Sequence, residues 1–207
     1  MREEGPFLVA APLGAADAAT DRDRSDVAGY RRPQRRRQAL AARATLRCLL
    51  AETTGIDGAD WTLARRPTGG LAALAPGGRR GPEVSLAHAG DWVACALAPQ
   101  GTIGVDIEMP RPGRSVVAIA ESVLSAAERA AVMAEGEAAL LACWTLREAI
   151  GKALGEGVGA GFGVGGDIVL AARDTVCSVP VGRGTWVLGQ RRFGAGSLAV
   201  AWLRPSR

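Results

Sequence analysis

The chain has 207 residues, 48% of them hydrophobic, and a formal net charge of +4 at pH 7. This length suits one large domain or two smaller ones, with enough apolar residues for a core. No apolar run reaches the ~18 residues of a bilayer-spanning helix. Acidic Glu3 and Glu4 precede the apolar stretch 7–16, which argues against a signal peptide. The four cysteines lack a C-x-x-C pair and have apolar neighbours, so we expect buried free thiols in a cytoplasmic protein.

The N-terminal half begins with a concentration of positive charge. Segment 22–47 holds nine arginines and two aspartates, a local net charge of +7. Such a segment attracts nucleic acid, a membrane, an acidic protein or a phosphorylated cofactor, unless it is only a solvated helix face. Residues 34–53 contain no Gly or Pro and predict a helix that ends near Gly55.

The next segments predict a loop and a strand pair. Gly, Pro and Arg cluster over 65–82, which favours a loop. Segment 84–97 has two apolar stretches around Ala-His-Ala-Gly, a pattern typical of strand, turn and strand. This places His88, the one histidine of the chain, at the turn.

The C-terminal half alternates strands and helices. Residues 103–108 alternate as a strand does, and Ser125-x-x-Glu128 is a capping box that begins a helix reaching 135. The strongest helix pattern spans 137–154. The other predicted elements are a glycine-rich loop over 155–166 and strands over 176–180, 185–190 and 197–203. The 161–166 stretch fits G-x-G-x-x-G, but we reject a nucleotide loop because it follows a helix and no helix pattern follows it.

Each half thus offers a helix followed by strands. This weak internal repetition predicts two similar lobes joined near residue 100, which we delimit as 1–102 and 103–207.

Two carboxylates stand side by side on the strand predicted over 103–108. Asp106 and Glu108 flank Ile107, and residues i and i+2 of a strand point to one face. Such a pair suits Mg²⁺, which typically uses one or two carboxylates, water and phosphate oxygens. The alternative is an exposed edge strand with two solvated acids. Glu128 is a third candidate acid, and the capping box alone would explain its presence.

The helix 137–154 carries one charged stripe on an otherwise apolar surface. Trp144, Glu148 and Lys152 are spaced i, i+4 and i+8, and Arg147 lies beside them. Lys152 is the only lysine among 25 basic residues. A compact ammonium does what the fixed guanidinium fork does poorly, which favours a specific role. The alternative is an ordinary Glu-to-Lys surface pair.

A lone histidine such as His88 is more often structural than catalytic, and both roles stay open here. No second histidine or C-x-x-C pair accompanies it to form a zinc site, and no G-x-S-x-G elbow supports a serine hydrolase.

Taken together, four motifs resemble the 4′-phosphopantetheinyl transferase superfamily. In chain order they are VSLAHAGDWV (84–93), GVDIE (104–108), LSAAE (124–128) and WTLREAIGK (144–152). The longer single-chain type that activates surfactin synthetase (Sfp type) is the most similar. The resemblance implies an α+β pseudo-dimer of two similar α/β lobes, each a helix packed on a small antiparallel sheet, with the active site in the inter-lobe cleft. It also implies a monomer.

The resemblance implies an enzyme, a holo-[acyl-carrier-protein] synthase. Such proteins move the 4′-phosphopantetheine arm of coenzyme A onto a serine of an acyl or peptidyl carrier protein and release adenosine 3′,5′-bisphosphate. The resemblance implies that the reaction uses Mg²⁺ and serves fatty-acid, polyketide or nonribosomal peptide synthesis, and it leaves open whether Mn²⁺ can replace Mg²⁺.

Residue roles carry over only where the motifs match. The metal-binding acids match Asp106, Glu108 and Glu128, the general base matches Glu148, and the lysine that meets the pyrophosphate matches Lys152. The expected contacts to coenzyme A are His88, Arg66, Arg147, Lys152, Arg36 and Arg37.

The sequence departs from the family pattern at three positions. Arg147 stands where the family often has Lys, and Ala87 and Ala89 stand where many members have Ser. These departures leave open a non-catalytic module that binds coenzyme A or carrier protein. A nucleic-acid-binding protein would leave the paired acids and Lys152 unexplained, so we expect neither nucleic acid nor membrane as partner.

Overall fold

The computed structural model gives a mixed α/β protein with small antiparallel sheets. The chain divides into two compact units, Met1–Gln100 and Gly101–Arg207. The residues that the structure describes are 5–67, 69–155, 158–161, 163–182 and 184–205. Among them, no helix is both long and apolar enough to cross a membrane.

The first unit is built around a 22-residue helix, α2 (Pro33–Thr54), which confirms the helix predicted over 34–53. Pro33 suits the start, because the first helical N–H has no partner in the helix. Gly55 suits the end, because it adopts the left-handed conformation with φ of 74°. The helix buries Leu46 and Leu50 completely against Leu97 and Trp61.

Two small sheets complete the first unit. The larger is antiparallel, in the order β1-β5-β4, and the smaller is the hairpin β2-β3. The strands are β1 (Phe7–Pro12), β2 (Thr62–Arg65), β3 (Leu71–Leu74), β4 (Glu83–Ala89) and β5 (Trp92–Ala98). The loop predicted over 65–82 is therefore wrong in part, because Leu71–Leu74 pairs with β2 although alanine and leucine carry little strand propensity.

A short helix, α1 (Asp21–Asp26), is attached to α2 by a buried carboxylate. Both Asp23 oxygens accept hydrogen bonds from Arg47, at 2.7 and 3.0 Å, and Arg43 lies 3.9 Å away. Burial alone would raise the pKa of Asp23, but the bonds from Arg47 and Thr20 hold it below its ordinary value. Two arginines of the basic segment 22–47 thus belong to the interior.

The second unit contains one antiparallel sheet in the order β6-β9-β8-β7 and five helices among its described residues. The strands are β6 (Thr102–Glu108), β7 (Val176–Val181), β8 (Gly184–Phe193) and β9 (Gly196–Pro205). The helices are α3 (Val116–Val123), α4 (Ala126–Glu135), α5 (Glu137–Leu154), α6 (Val158–Gly161) and α7 (Gly166–Ala171). All four predicted strands and the helices over 125–135 and 137–154 are confirmed.

The helix α5 packs directly on one face of this sheet. A Cβ atom at Gly104 would collide with the carbonyl oxygen of Ala149, so only glycine allows this approach. The fully buried Leu146 and Ile150 pack into the same cluster as Leu188. This contact determines which side chains of β6 lie beside which side chains of α5.

Four expectations need correction. The loop predicted over 155–166 is wrong in part, because Val158–Gly161 forms helix α6. We expected no helix after the glycine-rich motif 161–166, but helix α7 begins at Gly166. The motif does follow a helix, as expected. Helix α3 has no counterpart in the prediction, because its β-branched residues carry low helix propensity. The cysteines are free as expected, but Cys48 is exposed.

Candidate functional site

The strand β6 places two carboxylates on the sheet face that α5 covers. Asp106 pairs with Ala199 and Glu108 with Ser197 in the antiparallel register. Gly104 touches α5 from the same face, two residues before Asp106. Ile107 points the other way and is 1% exposed. Both acids therefore lie beside α5, as the alternation predicts.

Asp106 forms an ion pair with the only lysine. Lys152 Nζ donates to Asp106 Oδ1 at 2.8 Å and to the carbonyl oxygen of Val105 at 3.0 Å. Asp106 is 7% exposed, so the alternative of a solvated acid on an edge strand is wrong for it. The alternative of a Glu148–Lys152 surface pair is wrong too, because Lys152 pairs across to β6.

The second oxygen of Asp106 has no such partner. Oδ2 is buried and makes no hydrogen bond with any residue that the structure describes. Burial raises the pKa of Asp106 to about 6, Lys152 opposes the rise, and the charges of Glu148 and Glu108 add to it. An unpaired buried carboxylate oxygen is costly, which is typical of a group that binds something.

Two arginines of the loop after β6 donate hydrogen bonds to Glu108. Arg114 donates to Oε2 at 3.0 Å and Arg111 to the same oxygen at 3.4 Å. These contacts leave Oε1 without a hydrogen bond to the described part of the chain. They also offset some of the repulsion between Glu108 and Asp106.

Glu148 lies one turn before Lys152 on α5 and is partly buried. It makes no hydrogen bond or ion pair with the residues described. Burial raises its pKa, nearby Lys152 lowers it, and the charge of Glu108 raises it. Three carboxylates and one ammonium thus influence one another within this site, formed by β6 and α5.

Glu128 and Arg147 form a different cluster. Glu128 accepts from Arg147 Nε on one oxygen, at 2.8 Å, and from Arg147 Nη2 and the Ser125 N–H on the other. Glu128 is 0% and Arg147 2% exposed. Arg147 Nη1 also donates to the carbonyl oxygen of Gly161 at 2.9 Å. The capping box is confirmed, while the predicted roles in metal and coenzyme A binding stay predictions.

The donor set around Asp106 fits a hard divalent cation. No group of three or more Asp, Glu, His or Cys side chains in the described ranges is arranged to hold a metal. Mg²⁺ does not need three, because it keeps several waters and takes one or two carboxylates. The unpaired Oδ2 of Asp106 and the free Oε1 of Glu108 are oxygens of the required kind.

In the first unit, His88 lies inside strand β4 and not in the turn where it was expected. Arg35 Nη1 lies 2.7 Å from its Nε2 and 3.2 Å from its Nδ1. The sequence pointed to the arginines at 35–37 without fixing which of them makes a contact. The contact joins residues 53 apart, and only the helix phase of α2 against the register of β4 could have revealed it.

The other predicted cations of the first unit have separate partners. Arg36 is exposed and donates to the carbonyl oxygens of Ala28 and Tyr30, both at 3.2 Å. Arg37 is exposed. Arg66 forms an ion pair with Glu83 at 2.6 Å. Arg36 and Arg66 therefore contact different groups of the first unit.

A concavity of about 120 Å³ lies where the first turns of α5 meet β8 and β9. Its floor contains Gln190 and Ser197, both almost fully buried. Gln190 donates to the Ser197 hydroxyl at 2.9 Å, and that hydroxyl lies 2.7 Å from Thr145 Oγ1 on α5. These polar groups satisfy one another, so their role is to hold α5 on the sheet.

Comparison with known proteins supports a superfamily. Residues 102–184 match the model of the 4′-phosphopantetheinyl transferase superfamily. Two curated proteins called 4′-phosphopantetheinyl transferase AcpT, from Salmonella typhi and Salmonella typhimurium (strain LT2), are each 39% identical over 72 residues. The matched segment is 33% of this chain and spans 38% of each relative. It supports the superfamily to which the motifs point.

Proposed function

We propose that this protein is a 4′-phosphopantetheinyl transferase of the single-chain Sfp type. It transfers the phosphopantetheine arm of coenzyme A to a serine of an apo acyl or peptidyl carrier protein and releases adenosine 3′,5′-bisphosphate. The observation that carries the proposal is the site of β6 and α5, where Asp106 keeps one oxygen unpaired beside Lys152. This site falls inside the matched segment 102–184.

Asp106 and Glu108 would hold Mg²⁺, or Mn²⁺ in its place. The metal supplies a Lewis acid that neutralises charge on the pyrophosphate oxygens of coenzyme A. Glu128 was the third expected ligand, but both of its oxygens are already bound by Arg147 and Ser125. We therefore propose two carboxylate ligands, with water and substrate oxygens completing the coordination.

The side chains of α5 supply the remaining chemistry. Glu148 accepts the proton of the attacking serine hydroxyl, and its raised pKa makes the carboxylate a better base. The Lys152 ammonium donates to a phosphate oxygen and stabilises the charge that develops on the leaving group. Both groups are positioned by a helix that is fixed on the sheet, which phosphoryl transfer requires.

Coenzyme A phosphates would be bound by the cations of the first unit, Arg36, Arg37, Arg66 and His88, with Arg35 added by its contact to His88. Arg147 is expected to act indirectly, since it is buried against Glu128. We also propose that the chain is a pseudo-dimer of two similar lobes, 1–102 and 103–207, and that it acts as a monomer in the cytoplasm.

The test is the intact mass of an apo carrier protein after incubation with this protein, coenzyme A and Mg²⁺. We expect the mass to rise by one phosphopantetheine arm, and EDTA to prevent it. Asp106→Ala, Glu148→Gln and Lys152→Ala should each abolish or strongly slow the gain. Glu135→Gln, an exposed acid of the same unit, is the matched control and should transfer normally.

A non-catalytic module that binds coenzyme A or carrier protein is the second candidate. It rests on Ala87 and Ala89, which stand where the family often has serine. Both side chains are buried on β4, at 5% and 3% exposure, so neither removes a hydroxyl from an exposed surface. Coenzyme A binding without a mass gain on several unrelated carriers would establish this alternative.

A further inference from the structure

Lys152 is anchored at two points. Its ammonium donates to the Val105 carbonyl oxygen at 3.0 Å and to Asp106 Oδ1 at 2.8 Å. An ammonium has three N–H groups, so one remains for another acceptor. The Lys152 side chain is 32% exposed, so part of it is open to solvent.

The contact engages only one oxygen of Asp106. Oδ2 stays without a partner among the described residues, although it is fully buried. A carboxylate has two oxygens, each able to face a different cation. The ion pair with Lys152 therefore occupies Oδ1 of Asp106 and leaves Oδ2 for a second cation.

Three arginines of the same molecule bind both oxygens of one carboxylate, whereas Arg66, Arg111 and Arg114 each donate to a single carboxylate oxygen. Arg147, five residues before Lys152 on α5, donates from Nε to one oxygen of Glu128 and from Nη2 to the other. Arg47 binds both oxygens of Asp23, and Arg173 binds both of Glu135. The guanidinium fork matches a carboxylate bidentately, whereas an ammonium is a point donor.

We propose that Asp106 serves two cations at once, and that this is why position 152 is the one lysine of the chain. Oδ1 and the Val105 carbonyl position Lys152 as a preset donor with one N–H left for a substrate phosphate. Oδ2 is the oxygen reserved for the divalent metal. The inference rests on the proposed function for the identity of that metal, and it assigns Lys152 the further role of keeping a metal ligand open.

The decisive experiment measures Mn²⁺ binding by electron paramagnetic resonance, without coenzyme A, in the full chain and in two variants. Lys152→Arg keeps the positive charge but brings a fork to Asp106, so we expect Mn²⁺ affinity to fall at least about tenfold. Lys152→Met removes the charge and leaves both Asp106 oxygens open, so its affinity should equal or exceed that of the native chain. Thermal unfolding of each variant confirms that it is folded.

Four outcomes distinguish a failure of this inference from a failure of the proposed function. Native Mn²⁺ affinity in Lys152→Arg overturns the inference, because lysine and arginine would then be equivalent for the metal. Loss of affinity in Lys152→Met also overturns it. If the native chain transfers phosphopantetheine but binds no Mn²⁺ alone, the sharing of Asp106 is wrong while the proposed function stands. If it neither binds coenzyme A nor modifies carrier protein, the proposed function fails by itself.

A second measurement needs no variant. Protein labelled with ¹⁵N at lysine Nζ gives a single side-chain signal, because Lys152 is the only lysine. We expect this ammonium signal to be protected from exchange with water and to remain so on addition of Mg²⁺. A shift to the position of free lysine with Mg²⁺ would show that the metal displaces Lys152 from Asp106, and would overturn the inference.

Discussion

Two ion pairs of the second unit connect α5 to a buried carboxylate, and they differ in nearly every other respect. In the Glu128–Arg147 pair, both oxygens are bound and the pKa of Glu128 is lowered, because the bonds from Arg147 and Ser125 outweigh the effect of burial. In the Asp106–Lys152 pair, one oxygen is unbound and burial raises the pKa of the carboxyl group.

The difference separates structure from function within one helix. A buried charge whose hydrogen bonds are all satisfied connects the elements that carry its partners. Arg147 is such a group, because it binds the Gly161 carbonyl oxygen in addition to Glu128. A buried charge with an open oxygen is destabilising for the fold, and such a group persists where it binds a ligand. Arginine closes the first site, and lysine leaves the second open.

The largest expected effect comes from breaking the closed pair. Arg147→Met should lower the free energy of unfolding by about 3–5 kcal/mol, because Glu128 would be left as an uncompensated buried charge. Urea unfolding followed by circular dichroism measures this. A loss below about 1 kcal/mol would mean that the Glu128–Arg147 pair contributes little to the stability of the fold.

The open pair should respond in the opposite direction. The folded-state pKa of Asp106, about 6, lies above its ordinary 3.8. The folded chain therefore holds this proton more tightly, and stability falls as pH rises from about 4 to 6. Asp106→Asn removes the ionisation, so we expect it to stabilise the protein by roughly 3 kcal/mol at about pH 8 and hardly at all at about pH 4.

Thermal unfolding of the native chain and of Asp106→Asn at both pH values tests this sign. The same variant should lose carrier modification. If Asp106→Asn were instead destabilising at about pH 8, Asp106 would belong with Glu128 as a closed structural group, and the contrast between the two pairs would disappear.

The polar contact under α5 should have an intermediate effect. Ser197→Ala removes the hydroxyl that accepts from Gln190 and contacts Thr145. We expect a loss of about 1–3 kcal/mol in unfolding free energy, because buried polar groups lose their partner. Carrier modification should be unaffected per folded molecule, and a selective loss of activity would place the concavity within the active site.

The smallest effect is expected at the pair of exposed Glu135 and partly buried Arg173. Glu135 is solvent-exposed, so its bidentate contact is screened by water and salt. Glu135→Gln should leave the urea midpoint unchanged within error. A clear shift would show that a bidentate pair stabilises this fold even when its carboxylate is exposed.

The sequence predicted the four strands and the helices α4 and α5 of the C-terminal half, because their periodicity is local, but it did not predict α3, α6 or α7. Residues 137–154 are the helix α5 as predicted, and Ser125 caps α4 through Glu128. What it could not predict is which distant side chains meet. Lys152 reaches Asp106 across 46 residues, and Arg147 reaches Glu128 across 19. Those contacts depend on how α5 is rotated on the sheet. That rotation is fixed where α5 packs against the backbone of Gly104, which has no side chain to keep the helix away.

The basic segment shows the same limit at the level of charge. Nine arginines fall within 22–47, yet the sequence does not indicate that Arg43 and Arg47 turn inward to Asp23 while Arg36 and Arg37 stay outside. Both helix faces of α2 carry arginine, so periodicity alone does not separate them.

The inward turn of Arg43 and Arg47 has a consequence for the kinetics of association. A partner that approaches from solution is attracted by the seven exposed arginines of the segment, and not by the nine that the sequence contains. The two buried guanidinium groups are paired within the fold and change little on docking. If an acidic carrier protein is the partner, as proposed, seven and not nine charges of this segment contribute to the rate of capture and to its dependence on salt.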